Sequence, residues 1–250
     1  MNNNVLTQNK QSWDAIADEW FGTTALPIWG CSVPTEDELH LLENISGKKI
    51  LDIGCGSGHS LKYCGENGAA ELYGLDISTR QLENADDLLS EAGLPHTLIN
   101  QPMEKVANIP TNYFDIVYSD YAIGWTTDLT TTLANVKLYL KNGGIFVFSW
   151  DHPFMHCVEV ADGKVIFSGT YLDEDVFTFE KGGQPVTLQN RKLSTYINAL
   201  SDNGFATEKV IEETNREALN RETQYSEGYY SDAKAKHFPL SVIIKARKIK

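Results

Sequence analysis

Between Lys48 and Trp150 the chain alternates short apolar runs with stretches whose apolar positions recur every three or four residues. The first texture belongs to strands buried on both faces, the second to helices lying on a sheet. Residues 49–53, 71–77, 97–100, 114–119 and 145–150 are predicted strands; 59–65, 79–92 and 129–140 are predicted helices. Ser78 stands where an N-cap is needed, and Gly93 and Gly143-Gly144 stand where helices should close. Repeated strand–helix–strand units imply a parallel sheet with helices on both faces.

The flanks read differently. Residues 11–21 form a predicted helix with Trp13, Ile16, Ala17 and Trp20 on one stripe. A stretch broken by Pro and Gly follows, and Thr35 with Glu38 has the spacing of a capping box opening a helix over 36–44. Beyond Trp150, Asp162-Gly163 and Gly182-Gly183 lie between apolar or aromatic stretches, which is hairpin chemistry. A small antiparallel insertion over 151–190 is therefore expected. Residues 191–203 are a predicted helix closed by Gly204, and 207–212 and 240–246 are the last predicted strands. The connection 214–239, with Tyr225, Tyr229 and Tyr230, is long enough to be functional or partly helical.

Composition narrows the function classes. The 250 residues are 42% apolar and 22% charged, as expected of a folded domain. Twenty-one Lys and Arg against 34 Asp and Glu give a net charge of −13, which argues against nucleic acid and against an anionic membrane surface. The apolar runs are too short to span a bilayer, and the Asn-rich start has no signal-peptide core. Cys31, Cys55, Cys64 and Cys157 form no CxxC pair, so a reduced, cytoplasmic protein is expected. No residues have metal-ligand spacing, and no metal is expected.

The densest chemistry lies in Leu51-Asp52-Ile53-Gly54-Cys55-Gly56-Ser57-Gly58, where a strand feeds a glycine turn that opens a helix. Glycines let a ligand lie against the main chain, and the helix start offers free N–H groups. Asp76 ends the next strand, where a carboxylate can accept hydrogen bonds from a ribose diol. A dinucleotide fingerprint would want glycine at the position of His59. The GxGxG spacing behind an acidic residue instead resembles motif I of the class I S-adenosylmethionine-dependent methyltransferases. Gly74-Leu75-Asp76-Ile77-Ser78, Phe114-Asp115-Ile116-Val117-Tyr118-Ser119 and Leu140-Lys141-Asn142-Gly143-Gly144-Ile145-Phe146 are similar to later motifs of that family, in the right order.

That resemblance implies a Rossmann-like, three-layer, doubly wound α/β fold. Its sheet would have seven mostly parallel strands and an antiparallel last strand, here with the small insertion added. The chain would divide into an N-terminal helical lid (1–46), a cofactor-binding core (47–150), the insertion over a substrate pocket (151–190) and a C-terminal completion (191–250). S-adenosyl-L-methionine, leaving as S-adenosyl-L-homocysteine, would meet Asp52, Gly54, Cys55, Gly56, Gly58, Asp76 and Ile77. The loops after strands three and four would add Gln101, Met103, Glu104 and Ser119. Pro102 occupies the slot where family members often carry an adenine-binding Asp, so main chain near Met103, or Gln101, is expected to take that role. Trp13 and Trp20 resemble the aromatic lid of small-molecule members, where rings face the sulfonium. Plain core packing of an amphipathic helix is the alternative.

Doubly wound sheets gather ligands at the carboxyl ends of their strands. After strand four stand Asp120, Tyr121 and Trp125; after strand five stand Ser149, Trp150, Asp151, His152 and Pro153. His152 is the expected general base, since imidazole titrates near neutrality, and Tyr121 is a second catalytic candidate. The competing role for His152 is to buttress a loop. His156 and Tyr171 are further candidates, whereas His40, His59, His96 and His237 read as structural or solvated. The expected activity is methyl transfer to an O or N atom of a small molecule, by a monomer or homodimer. The alternatives are a cofactor-binding regulator without turnover and a nicotinamide-dependent oxidoreductase.

Overall fold

The computed structural model describes residues 3–214 and 229–249. Among them, five parallel strands, β1 (Lys49–Ile53), β2 (Glu71–Asp76), β3 (His96–Asn100), β4 (Phe114–Ser119) and β5 (Leu140–Asp151), build most of one sheet. Two later strands, β10 (Phe205–Ile211) and β11 (Ser241–Lys248), complete it in the order β10-β11-β5-β4-β1-β2-β3. β11 is antiparallel to both neighbours. This is the doubly wound, seven-stranded sheet with an antiparallel last strand that the motifs implied.

Alternation along the strands makes three layers. Leu51, Val117, Phe146 and Phe148 point to one face, where α5 (Leu129–Tyr139) and α6 (Leu193–Asp202) cover them with Leu133, Val136, Tyr196 and Leu200. Ile50, Ile116, Tyr118 and Val147 point to the other, against α3 (His59–Glu66) and α4 (Thr79–Glu91) through Leu61, Leu82 and Leu89. Phe148 is fully buried, so truncating it to Ala costs about 3–5 kcal/mol. Ser78 caps α4 by accepting from the Gln81 N–H, as its position foretold.

Three elements depart furthest from expectation. α1 spans Asn3–Ile16, starting well before residue 11, and gives way to a 3₁₀ turn, Ala17–Trp20. The helix predicted over 36–44 is a single turn, α2 (Glu36–Leu39). Its capping box is present, but His40 turns left-handed (φ 48°), and the Glu36 carboxylate accepts the Leu41 and Leu42 N–H groups. Those bonds satisfy backbone that a longer helix would have used. β5 begins at Leu140, not at residue 145. Gly143 (φ 77°) falls inside it, where the pairing with β4 shifts register.

The region 151–190 holds two separate hairpins, β6 (Val158–Ala161) with β7 (Lys164–Phe167), and β8 (Val176–Lys181) with β9 (Gln184–Gln189). Both turns have positive φ at both central residues, Asp162-Gly163 and Gly182-Gly183, the conformation that suits strand twist. The second hairpin is bonded to α1: the Asn9 amide donates to Thr187 O (2.7 Å) and accepts from Thr187 N (2.8 Å). Tyr225 and most of the long connection lie outside the described residues; Asp232–Ala235 is a short helical turn near its end. Among the described residues no helix is long and apolar enough to cross a membrane.

Candidate active site

The glycine turn after β1 needs the conformations glycine permits. Gly54, Gly56 and Gly58 have φ of 80°, 49° and 79°. A Cβ at Gly54 would stand 2.4 Å from that of Ala122, and one at Gly58 would stand 2.9 Å from that of Ala85. At Gly56 the nearest atom would be Gln81 Oε1 at 3.9 Å, so this main chain faces open space. Leu75 O accepts the Gly54 and Cys55 N–H groups, which ties the turn to β2.

Asp76 stands at the tip of β2. Its carboxylate accepts the Gly56 N–H (2.9 Å) and the Ser78 N–H (2.8 Å), bridging the two crossovers. Burial lifts its pKa to about 6, against the pull of those N–H donors. Asp52 is 1% exposed, and its Oδ1 has no hydrogen-bond partner. Burial and then the Asp120 charge push it well above the carboxylate range. Asp120 accepts from the Ser60 and Ser149 hydroxyls, and burial raises it to about 7.

These groups line an outer cavity. Asp52, Gly54, Cys55, Gly56, Asp76, Ile77, Met103, Glu104, Trp13 and Trp20 meet there, and among the described residues no Lys or Arg does. Three expected residues stay out of it. Gly58 lies behind the turn as the N-cap of α3, against Ala85. The Gln101 side chain is not in the lining; its N–H donates to Asp76 O. Ser119 is fully buried and donates to Ile53 O. Glu104 reaches the cavity with Oε1 already accepting from Thr126 and Thr127.

Among the lining residues that escaped the sequence reading are His59 and Gln81. His59, expected to be structural, lies in the wall with Nδ1 3.1 Å from Ser57 Oγ, its pKa lowered by burial. Its place directly after the third glycine was the available signal. Gln81, whose buried Oε1 has no partner, follows the Ser78 cap by three residues, and that spacing turns it back toward the glycine turn.

Trp13, Trp20, Thr24, Tyr121 and Trp125 also line a second, inner cavity of about 450 Å³, within the range of small-molecule sites. Trp125, Trp150, Phe177, Phe179 and Tyr196 give it aromatic walls. Tyr121 (φ 53°) donates to Asp151 Oδ1 at 2.5 Å, and Tyr230 donates to the same oxygen at 2.8 Å. Burial raises the Asp151 pKa, against the pull of the tyrosine hydroxyls.

His152 lines this cavity and is 3% exposed. Nε2 is 2.8 Å from Glu212 Oε1, and Nδ1 accepts the Phe154 N–H at 3.2 Å. Both ring nitrogens are thus engaged, and burial lowers the pKa despite Glu212. Tyr171 is tied to α6, its hydroxyl accepting the Leu193 N–H. Lys181 and Arg191 also line this cavity. Among the described residues no cluster of three His, Cys, Asp or Glu side chains could hold a metal ion.

Comparison with known proteins agrees with this geometry. Residues 51–148 match the family described as a methyltransferase domain. The chain is 29% identical over 223 residues to an uncharacterized protein of Haemophilus influenzae, covering 84% of this chain and 85% of that one. It is 28% identical over 144 residues to aklanonic acid methyltransferase DauC of Streptomyces, covering 57% of this chain and 61% of that one. An S-adenosylmethionine-dependent methyltransferase structure from Mesorhizobium loti matches with a TM-score of 0.70 at 27% identity, covering 84% of this chain and 95% of that one.

Proposed function

We propose that the chain, as a class I S-adenosylmethionine-dependent methyltransferase, methylates an oxygen or nitrogen of a small molecule seated in the inner cavity. The observation that carries this reading is the join: Trp13, Trp20, Thr24, Tyr121 and Trp125 line both cavities, so ligands in the two would meet there. The outer cavity suits the cofactor. Asp52 holds an unpartnered buried oxygen, the Gly56 main chain faces open space, and the described lining carries carboxyl groups and no Lys or Arg, which suits a cationic ligand. When bound, the cofactor supplies an electrophilic methyl group on a sulfonium.

This chain's residues do the rest. Asp76 accepts the ribose hydroxyls, and Asp52 and Asp120 attract the ammonium end. The Trp13 and Trp20 rings face the sulfonium, each gaining on the order of 1 kcal/mol when dry. The aromatic walls exclude water and hold the acceptor in line, which accounts for most of the rate expected of such a transfer. Tyr121 and Asp151 form the proton path. An acceptor hydroxyl or ammonium donates to the phenol oxygen as the phenol proton moves to Asp151, whose raised pKa makes it the better base. His152, with both nitrogens engaged, is a positioning residue that fixes the loop after β5. A relative named for methylating aklanonic acid supports a small-molecule acceptor.

The test is S-adenosylhomocysteine release with a panel of phenols, aromatic acids and amines, followed by mass spectrometry of the product. Turnover is expected with at least one acceptor. Tyr121→Phe should slow it tenfold or more with S-adenosylhomocysteine affinity within threefold. Tight cofactor binding without turnover across the panel, or a methyl found on carbon, would overturn the reading.

A further inference from the structure

We propose that the acceptor is a flat aromatic molecule bearing a carboxylate, and that Lys181 receives that carboxylate. The inference rests on the inner cavity being the acceptor site. Lys181 is the last residue of β8, with its Nζ 3.7 Å from the Trp20 ring centroid and 5.9 Å from that of Trp13. This ammonium lies against the Trp20 ring and, among the described residues, makes no ion pair; Asp151 acts on it through space. A half-buried cation held against a ring without an ion pair is costly, and burial accordingly lowers its pKa.

The neighbours do not neutralise it. Arg191 is 5% exposed and donates to the carbonyls of Gly124, Thr126 and Gln189 and to the Gln189 side chain, all neutral acceptors. Asp151 acts on Lys181 only through space, with Oδ1 already taking two tyrosine hydroxyls. Glu180 is exposed at the cavity edge, Glu19 is exposed beside Gly182 without an ion pair to Lys181, and Glu212 is bonded to His152. Leaving aside the exposed Glu180, the lining therefore sets two cations, Lys181 and Arg191, against one acid, Asp151.

The ammonium is also held in place. The β8–β9 hairpin is bonded to α1 through Asn9, and a Cβ at Gly182 would come within 2.8 Å of the Ile16 side chain. Trp125 and Phe179 stack at 6.3 Å and 23°, presenting flat surface to a planar guest.

Calorimetry tests this with the enzyme saturated in S-adenosylhomocysteine, using 2-naphthoate and its uncharged analogue 2-naphthamide as probes. Wild type should bind naphthoate at least tenfold more tightly than naphthamide. Lys181→Met should erase that preference, and Lys181→Arg should keep most of it. S-adenosylhomocysteine affinity should stay within twofold in all three proteins. Absent or equal binding of the two probes to wild type, or a preference surviving in Lys181→Met, overturns the proposal. A tenfold loss of S-adenosylhomocysteine affinity in Lys181→Met also overturns it, by handing the cation to the cofactor. Failure of S-adenosylhomocysteine to bind wild type would instead strike the methyltransferase reading beneath it.

Discussion

The outer and inner cavities share a wall and differ in nearly everything else. The outer one is shaped by main chain: a glycine turn, two strand tips and carboxylates with raised pKa, with no Lys or Arg among its described lining. The inner one is shaped by side chains from distant segments, with aromatic walls and two enclosed cations. On the proposed reading, the cationic cofactor would lie among carboxylates and the anionic acceptor beside Lys181, so the two compartments would sort their ligands by charge.

The comparison can be broken on one side at a time. Gly54→Val has the largest expected effect. It combines a left-handed φ with a Cβ jammed against Ala122, so denaturation should show a loss of about 2–5 kcal/mol, with S-adenosylhomocysteine binding abolished. Asp76→Ala should weaken S-adenosylhomocysteine by about 2–3 kcal/mol in calorimetry while leaving the naphthoate preference intact; unchanged affinity would remove Asp76 from the site. Acidification sharpens the contrast. Asp120 and Asp76 titrate at about 7 and about 6 in the empty protein, and protonation removes the charge and the acceptor lone pairs the cofactor needs. Affinity for S-adenosylmethionine should thus fall with pH, by about tenfold or more at pH 5. Naphthoate binding, which draws on Lys181 rather than on Asp120 or Asp76, should change less over the same range. The smallest effect is expected from Asn9→Ala. Losing its two bonds to Thr187 should cost about 1 kcal/mol of stability and weaken naphthoate more than S-adenosylhomocysteine.

The same division explains what could be read from the chain beforehand. β1 and β4 lie where strict apolar runs put them, and the glycine turn announced its own conformations. α1 was half hidden because the face it buries carries Asn9 and Ser12 besides Ile16. Both polar residues bond to the β8–β9 hairpin, so no apolar period marks the helix start. α2 was over-extended because nothing local reveals that Glu36 would accept from residues 41 and 42. The inner cavity was least legible. Tyr121, Asp151, Lys181, Arg191 and Tyr230 meet only through the folded topology. Nothing in the local sequence reveals that Glu212 and the Phe154 N–H would engage the two nitrogens of His152.

The paired bonds between the Asn9 amide and Thr187 reach past stability. α1 carries Trp13, which lines both cavities, β9 helps wall the inner one, and the clasp ties the two elements together. If they moved as one, swinging them outward would open both compartments together. Spent nucleoside and finished product would therefore leave through a single door, and refilling one compartment while the other keeps its occupant would be sterically awkward.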